Sequence, residues 1–315
     1  MLRALVPYRI RFAALLVLLA ATTSACAQES SLQEQAPAAL AEAPIDVVDP
    51  PYAFDRPDTL FRLPNRLQEI SGLTVLDEQT LGAVQDEKGK LYLINLHTGE
   101  IEDDPKFDKD GDYEGLARVG DRVYVLRSNG TLHEITNWRA KKLETVKHKT
   151  ALSAKHDTEG LVYDAANNRL LIACKEFAAK GMKKKKAVYA FDLETETLLD
   201  DPVFVIDTRA FSEQTDAGGL NDRIRRAVEP AFDLSGFKPS ALGLHPLTGE
   251  LYVLSSVRKA LVVLNPAGEM TQVWTLPEKQ FRQPEGLAFL PNGDLFIASE
   301  GNGKKAVIMR FNYRP

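Results

Sequence analysis

Residues 112–127 read DYEGLARVGDRVYVLR. Two short runs rich in apolar and β-branched residues flank a Gly-Asp turn, which is how an antiparallel hairpin is written. The opening of this stretch returns four more times, as EISGLTV at 69–75, DTEGLVY at 157–163, KPSALGL at 238–244 and QPEGLAF at 283–289. Glu114 precedes Glu159 by 45 residues, and Ser240 precedes Glu285 by 45 again. Each opening leads into a turn, a strong strand such as VYVLRS or LYVLSS, and further strands. Four strands per repeat of this length is the period of a propeller blade.

The sequence therefore predicts an all-β fold, a β-propeller with five blades of four antiparallel strands. Six blades is the alternative, because Glu159 and Ser240 lie 81 residues apart, nearly two periods. Residues 159–206 already hold four strands (EGLVYD, RLLIAC, AVYAFD, PVFVID), which leaves 207–238 as an insertion with a short helix over 209–230. The last blade lacks an outer strand before Pro315. TLFRLP at 59–64 resembles VWTLP at 273–277, the outer strand of the blade before it. The N-terminal strand is thus predicted to complete the last blade and close the ring, leaving no open edge.

Residues 1–25 have a different texture. Arg3, Arg9 and Arg11 precede the apolar run FAALLVLLAA (12–21) and then TTSAC (22–26). This is the layout of a secretory signal peptide, and the run is too short to span a membrane. Ser24-Ala25-Cys26 matches a bacterial lipobox except at Thr23, so a lipid on Cys26 is expected to tie the protein to a membrane. Ala25-Cys26-Ala27 is the competing site for ordinary cleavage, which would leave a soluble periplasmic or secreted protein. Ala27, not being aspartate, favours the outer membrane, facing the periplasm. Residues 26–57, rich in Ala, Glu, Gln and Pro, read as a flexible tether, and 58–315 as the propeller. Cys174, in LLIACKE, is then the one remaining cysteine and reads as a small buried hydrophobe. Loss of the signal takes the net charge from −5 to −8. An acidic domain argues against nucleic acid as partner and is compatible with cations.

Innermost propeller strands line a central channel, so equivalent residues of the openings converge there. On the glycine alignment these are Ser71, Glu114, Glu159, Ser240 and Glu285, and Glu69, two residues before Ser71, is expected to point the same way. Gathered carboxylates raise one another's pKa unless a cation joins them. An all-oxygen ring suits Ca²⁺ best. The structural alternative is that the glutamates cap neighbouring backbone. A second polar set ends the following strands. Asp86 and Glu300 are further candidate metal ligands, and Arg127 and Lys175, with Ser240, are candidates for holding a ligand. DKDGDYEG (108–115) lacks the turn glycine and terminal glutamate of an EF-hand loop. Lys183 to Lys186 read as a solvated loop tip, and the histidines show no metal spacing. No nucleophile elbow, phosphate loop or dinucleotide fingerprint occurs.

The set EISGL, VQDEKGKLY, GDYEGLA, VYVLRSNGTL, PSALGLHPLTGELYVLSS and PEGLAF…GDLFIASE resembles the SdiA-regulated family of bacterial proteins over most of 60–312. The resemblance implies a five-bladed propeller, distantly similar to NHL-repeat propellers, with calcium in the channel. It carries Glu114, Glu159, Glu285, Asp86 and Glu300 onto that site, with Ser240 standing where a carboxylate belongs. The function expected is an envelope propeller that binds Ca²⁺ and an unidentified small molecule or protein. The alternative is a Ca²⁺-dependent hydrolase of phosphate esters or lactones, similar to propeller phytases and gluconolactonases.

Overall fold

The structure, a computed structural model, describes residues 49–208 and 236–315. Within them the strands form five antiparallel sheets. Blade I holds β2 (Ile70–Val75), β3 (Thr80–Gln85), β4 (Tyr92–Asn95) and β5 (Ile101–Asp103). Blade II holds β6 (Tyr113–Val119), β7 (Arg122–Arg127), β8 (Leu132–Thr136) and β9 (Glu144–His148). Blade III holds β10 (Thr158–Asp164), β11 (Arg169–Cys174) and β12 (Lys185–Asp192). Its outer strand comes in two pieces, β13 (Thr197–Leu198) and β14 (Phe204–Asp207), both paired with β12. Blade IV holds β15 (Ala241–Leu244), β16 (Leu251–Ser255), β17 (Ala260–Leu264) and β18 (Met270–Thr275). Blade V holds β19 (Pro284–Phe289), β20 (Leu295–Ser299), β21 (Val307–Phe311) and, outermost, β1 (Thr59–Arg62).

The expected five blades and the closing strand are thus both present. Residues 209–235 of the insertion at 207–238, the signal peptide, Cys26 and most of the tether lie outside the described residues. Among the described residues, no helix is long and apolar enough to cross a membrane.

The blades are joined by their faces. Alternating side chains of adjacent sheets meet in five buried clusters, one per interface. Leu126, Leu132 and Leu161, for example, join blades II and III. Burial on both faces is why strands such as LYVLS are apolar throughout. Cys174 is fully buried among them, as the sequence suggests.

At the centre, β2 packs against β6 and β19, β10 against β6 and β15, and β15 against β19, which closes the ring of inner strands. Here the recurrent glycine acquires its reason. A Cβ on Gly72 would lie 2.9 Å from the Cα of Gly115 in the next blade, and one on Gly115 would lie 3.1 Å from the Leu161 nitrogen. Only a residue without a side chain permits this approach.

The ring is locked by β1, in register from Thr59 opposite Arg310 to Arg62 opposite Val307. Asp58 accepts the Asn312 amide at 2.9 Å and pairs with Arg314 at 2.7 Å. Ordered packing begins before β1. Tyr52 and Phe54, which the sequence reading placed in the tether, are buried between blades IV and V. The Tyr52 hydroxyl donates to the Gly293 carbonyl at 2.8 Å. Two aromatic residues in a polar stretch suffice to hold that segment against the core.

Two stability measurements follow from this architecture. Deleting residues 58–64 removes the closing strand and the buried Phe61 and Leu63, and should lower Tm by about 10 °C or more. Gly72→Ala should cost about 1–3 kcal/mol in chemical denaturation, because the clash is with backbone. An unchanged midpoint in either case would contradict the account of ring closure.

Candidate functional site

Four inner strands carry a β-bulge at one place. The pairing register of β2 with β3, β6 with β7, β10 with β11 and β19 with β20 slips at Ser71, Glu114, Glu159 and Glu285 respectively. Each slipped residue drops out of the ladder and its side chain is re-aimed at the axis. Glu114, Glu159 and Glu285, with Ser71, border a narrow space of about 10 Å³ at the start of the inner strands. That is room for roughly one water molecule.

Below this layer five leucines, Leu73, Leu116, Leu161 and Leu287 after the glycines and Leu242 after Ala241, form an apolar ring across the channel. The second strand of each blade runs antiparallel to the first, so its end returns to the carboxylate mouth. Asp86, Arg127, Lys175 and Glu300 all arrive there by this route.

Burial dominates the electrostatics. It pushes the Glu114 carboxyl up to about 11, helped by Glu159 and by a hydrogen bond with Asp112. Burial also raises Glu159, but the Lys175 ammonium beside it offsets part of the effect and leaves it at about 8. Glu300 is held well above the usual carboxylate range by burial and by its hydrogen bond with Glu285. Asp86 is raised to about 6 by burial, then by Glu69 and Glu87. Its Oδ1 is buried and has no hydrogen-bond partner among the described residues. Carboxyls here pair with carboxyls, and Lys175 is the base that reaches them: it bonds Glu159 and sits 3.9 Å from Asp157.

The remaining candidates are placed as follows. Glu69 lies before β2, exposed at the rim, and its carbonyl accepts the Asp86 amide at 3.2 Å. Ser71 and Ser240 both donate to main-chain oxygens of the next blade, Tyr113 at 2.5 Å and Pro284 at 2.8 Å. They stitch blades together at the neck of the channel. The Arg127 guanidinium lies 5.7 Å from the centre of the Tyr113 ring. Two carboxylates of the EF-hand-like stretch are committed to lysines, Asp108 to Lys147 at 2.6 Å and Asp110 to Lys88 at 2.8 Å. The lysine run is only partly a loop tip. Lys185 and Lys186 open β12, and half-buried Lys186 donates to the Lys175 carbonyl.

One cluster was not foreseen. Glu134, His148 and Glu196 bring their ligand-type atoms within 4.8 Å of one another on the outer side of blades II and III. No spacing rule could find it, because the third member comes from another blade. His148 Nε2 lies 2.8 Å from Glu134, whose other oxygen accepts from Arg122 at 3.0 Å. With Arg122 already neutralising Glu134, the group reads as a charged clasp between blades.

Comparison with known proteins agrees with the fold. A family profile described as SdiA-regulated matches residues 62–303. No curated protein matches significantly. Among solved structures, the chain is similar to the glutaminyl cyclase of Myxococcus xanthus (13% identity, TM-score 0.52, 82% of this chain and 96% of that one). It is also similar to a streptogramin B lyase (13% identity, TM-score 0.46, 81% and 97%). At such identity the similarity to the glutaminyl cyclase is one of fold.

The raised carboxyls tie stability to pH. Each takes up a proton on folding, so its contribution is greatest below the unfolded pKa, about 4.5, and is lost as pH rises toward the folded value. In chelated protein, Tm should therefore fall between pH 5 and pH 8, as Asp86 and Glu159 pass from protonated to ionised. Glu159→Gln cannot ionise and should flatten that slope. A slope unchanged in Glu159→Gln would contradict the placement of its carboxyl.

Proposed function

From the premise that this chain belongs to the SdiA-regulated family, its profile spanning 62–303, we propose that it is a cell-envelope propeller whose acidic mouth binds Ca²⁺. On this reading the bound ion serves to recognise a ligand or partner. The observation that carries the reading is the pairing of carboxyls with one another at the mouth, Glu114 with the exposed Asp112 and the buried Glu285 with Glu300, together with the orphaned Oδ1 of Asp86. Such groups either hold protons or share a cation. The donors are all hard oxygens, the set Ca²⁺ prefers. Glu114, Glu159, Glu285, Glu300 and Asp86 would hold the ion, with Glu69 at the rim. Lys175 already supplies a positive charge to Glu159, so an arriving cation competes with an internal one.

Attachment to the outer membrane through a lipid on Cys26, by a tether facing the periplasm, completes the proposal. Binding is preferred to hydrolysis of phosphate esters or lactones. Lys175, one of the two basic candidates for holding such a substrate, is engaged by Glu159 and lies 3.9 Å from Asp157.

The test is thermal unfolding of the full chain at pH 7.5, chelated and then resupplied with Ca²⁺. Saturation at 100 times Kd stabilises by about 2.7 kcal/mol, or roughly 5 °C for a domain of this size. Glu114→Gln and Glu285→Gln should each remove most of that rise. A Tm indifferent to Ca²⁺ would sink the proposal and leave these carboxyls as proton-holding elements of the ring.

A further inference from the structure

The channel has a second mouth. Strand alternation puts Val75, Arg118, Tyr163, Leu244 and Phe289 two residues beyond the leucine ring and on the same side of their strands. With the leucines as floor they line a bowl of about 430 Å³, open on the face opposite the carboxylates. All five leucines border both spaces, so they form an apolar septum between the two mouths. The bowl's volume lies within the range of small-molecule sites, which are mostly apolar with a few placed polar groups.

The charged group here is Arg118. Its Nε donates to the Gly120 carbonyl at 2.7 Å, which fixes the side chain at the rim. No carboxylate among the described residues pairs with it, and no acidic side chain lines the bowl. A guanidinium beside apolar walls selects an anion with an apolar body, since it binds carboxylates through paired, charge-assisted hydrogen bonds.

We infer that the bowl is a binding site for a small amphipathic carboxylate, its apolar body on the leucine ring and its head on Arg118. The probes are octanoate and its neutral counterpart octan-1-ol, titrated calorimetrically into the full chain with and without chelator. Octanoate should bind, and Arg118→Gln should weaken it about tenfold while leaving octan-1-ol unaffected. Val75→Trp, which fills the bowl, should abolish binding of both. Arg118 is half exposed and outside the core, so its variant keeps the test decisive if Val75→Trp fails to fold. Three results would overturn the inference: no octanoate binding by the unaltered chain, an affinity unchanged in Arg118→Gln, or an affinity that depends on chelator, which would assign octanoate to the acidic mouth.

Discussion

The close approach of five inner strands is the constraint on which this molecule rests. A ring of five is narrow, and its strands come so near that Gly72 and Gly115 leave no room for a methyl group between them. The same narrowness turns the next residues into a septum of leucines and the preceding ones into a cluster of carboxyls. Three layers, acidic, apolar and mixed, thus come from one pentapeptide pattern laid around an axis. Blade faces supply the bulk of the buried apolar surface. The neck decides how the blades meet, through hydroxyls such as Ser71 and Ser240 that bind the backbone of the next blade.

That arrangement is electrostatically expensive. Burial and like charge both oppose ionisation, and a single lysine cannot offset several carboxyls in a space with room for about one water molecule. The protons held by Glu114 and Glu300 are the cost of the geometry in the absence of a shared cation. Bulges make it possible to meet that cost at all, because three of the four turn a carboxylate inward at the point where the ladder is already interrupted.

Much of this was legible in the sequence, and the failures have physical causes. The recurrent E-G-L opening exposed the blade period, the convergence of Glu114, Glu159 and Glu285, and the missing strand that TLFRLP supplies. Glu69 lies just before β2, ahead of the bulge at Ser71, and acts on the cluster from the rim, where its charge helps raise Asp86. Tyr52 and Phe54 were hidden in a polar stretch whose average composition outweighed two aromatic residues. The divided outer strand of blade III and the Glu134–His148–Glu196 clasp depend on how neighbouring sheets sit together. Local spacing carries no trace of them. Arg118 showed only as one more charged residue until the leucine ring gave it a place below the septum.

The closing strand has a consequence for how the molecule comes into being. β1 is among the first residues of the domain to emerge during synthesis, and its partner β21 is among the last. A contact of such separation has a large loop-closure entropy and cannot help nucleate folding. Until β21 is made, blade V has no edge to offer, and the ring stays an open arc with an apolar flank on each end blade. The chain therefore carries a built-in delay. Its last blade is a latch that engages only after β21 is available, which keeps the nascent domain unfinished until that strand is made.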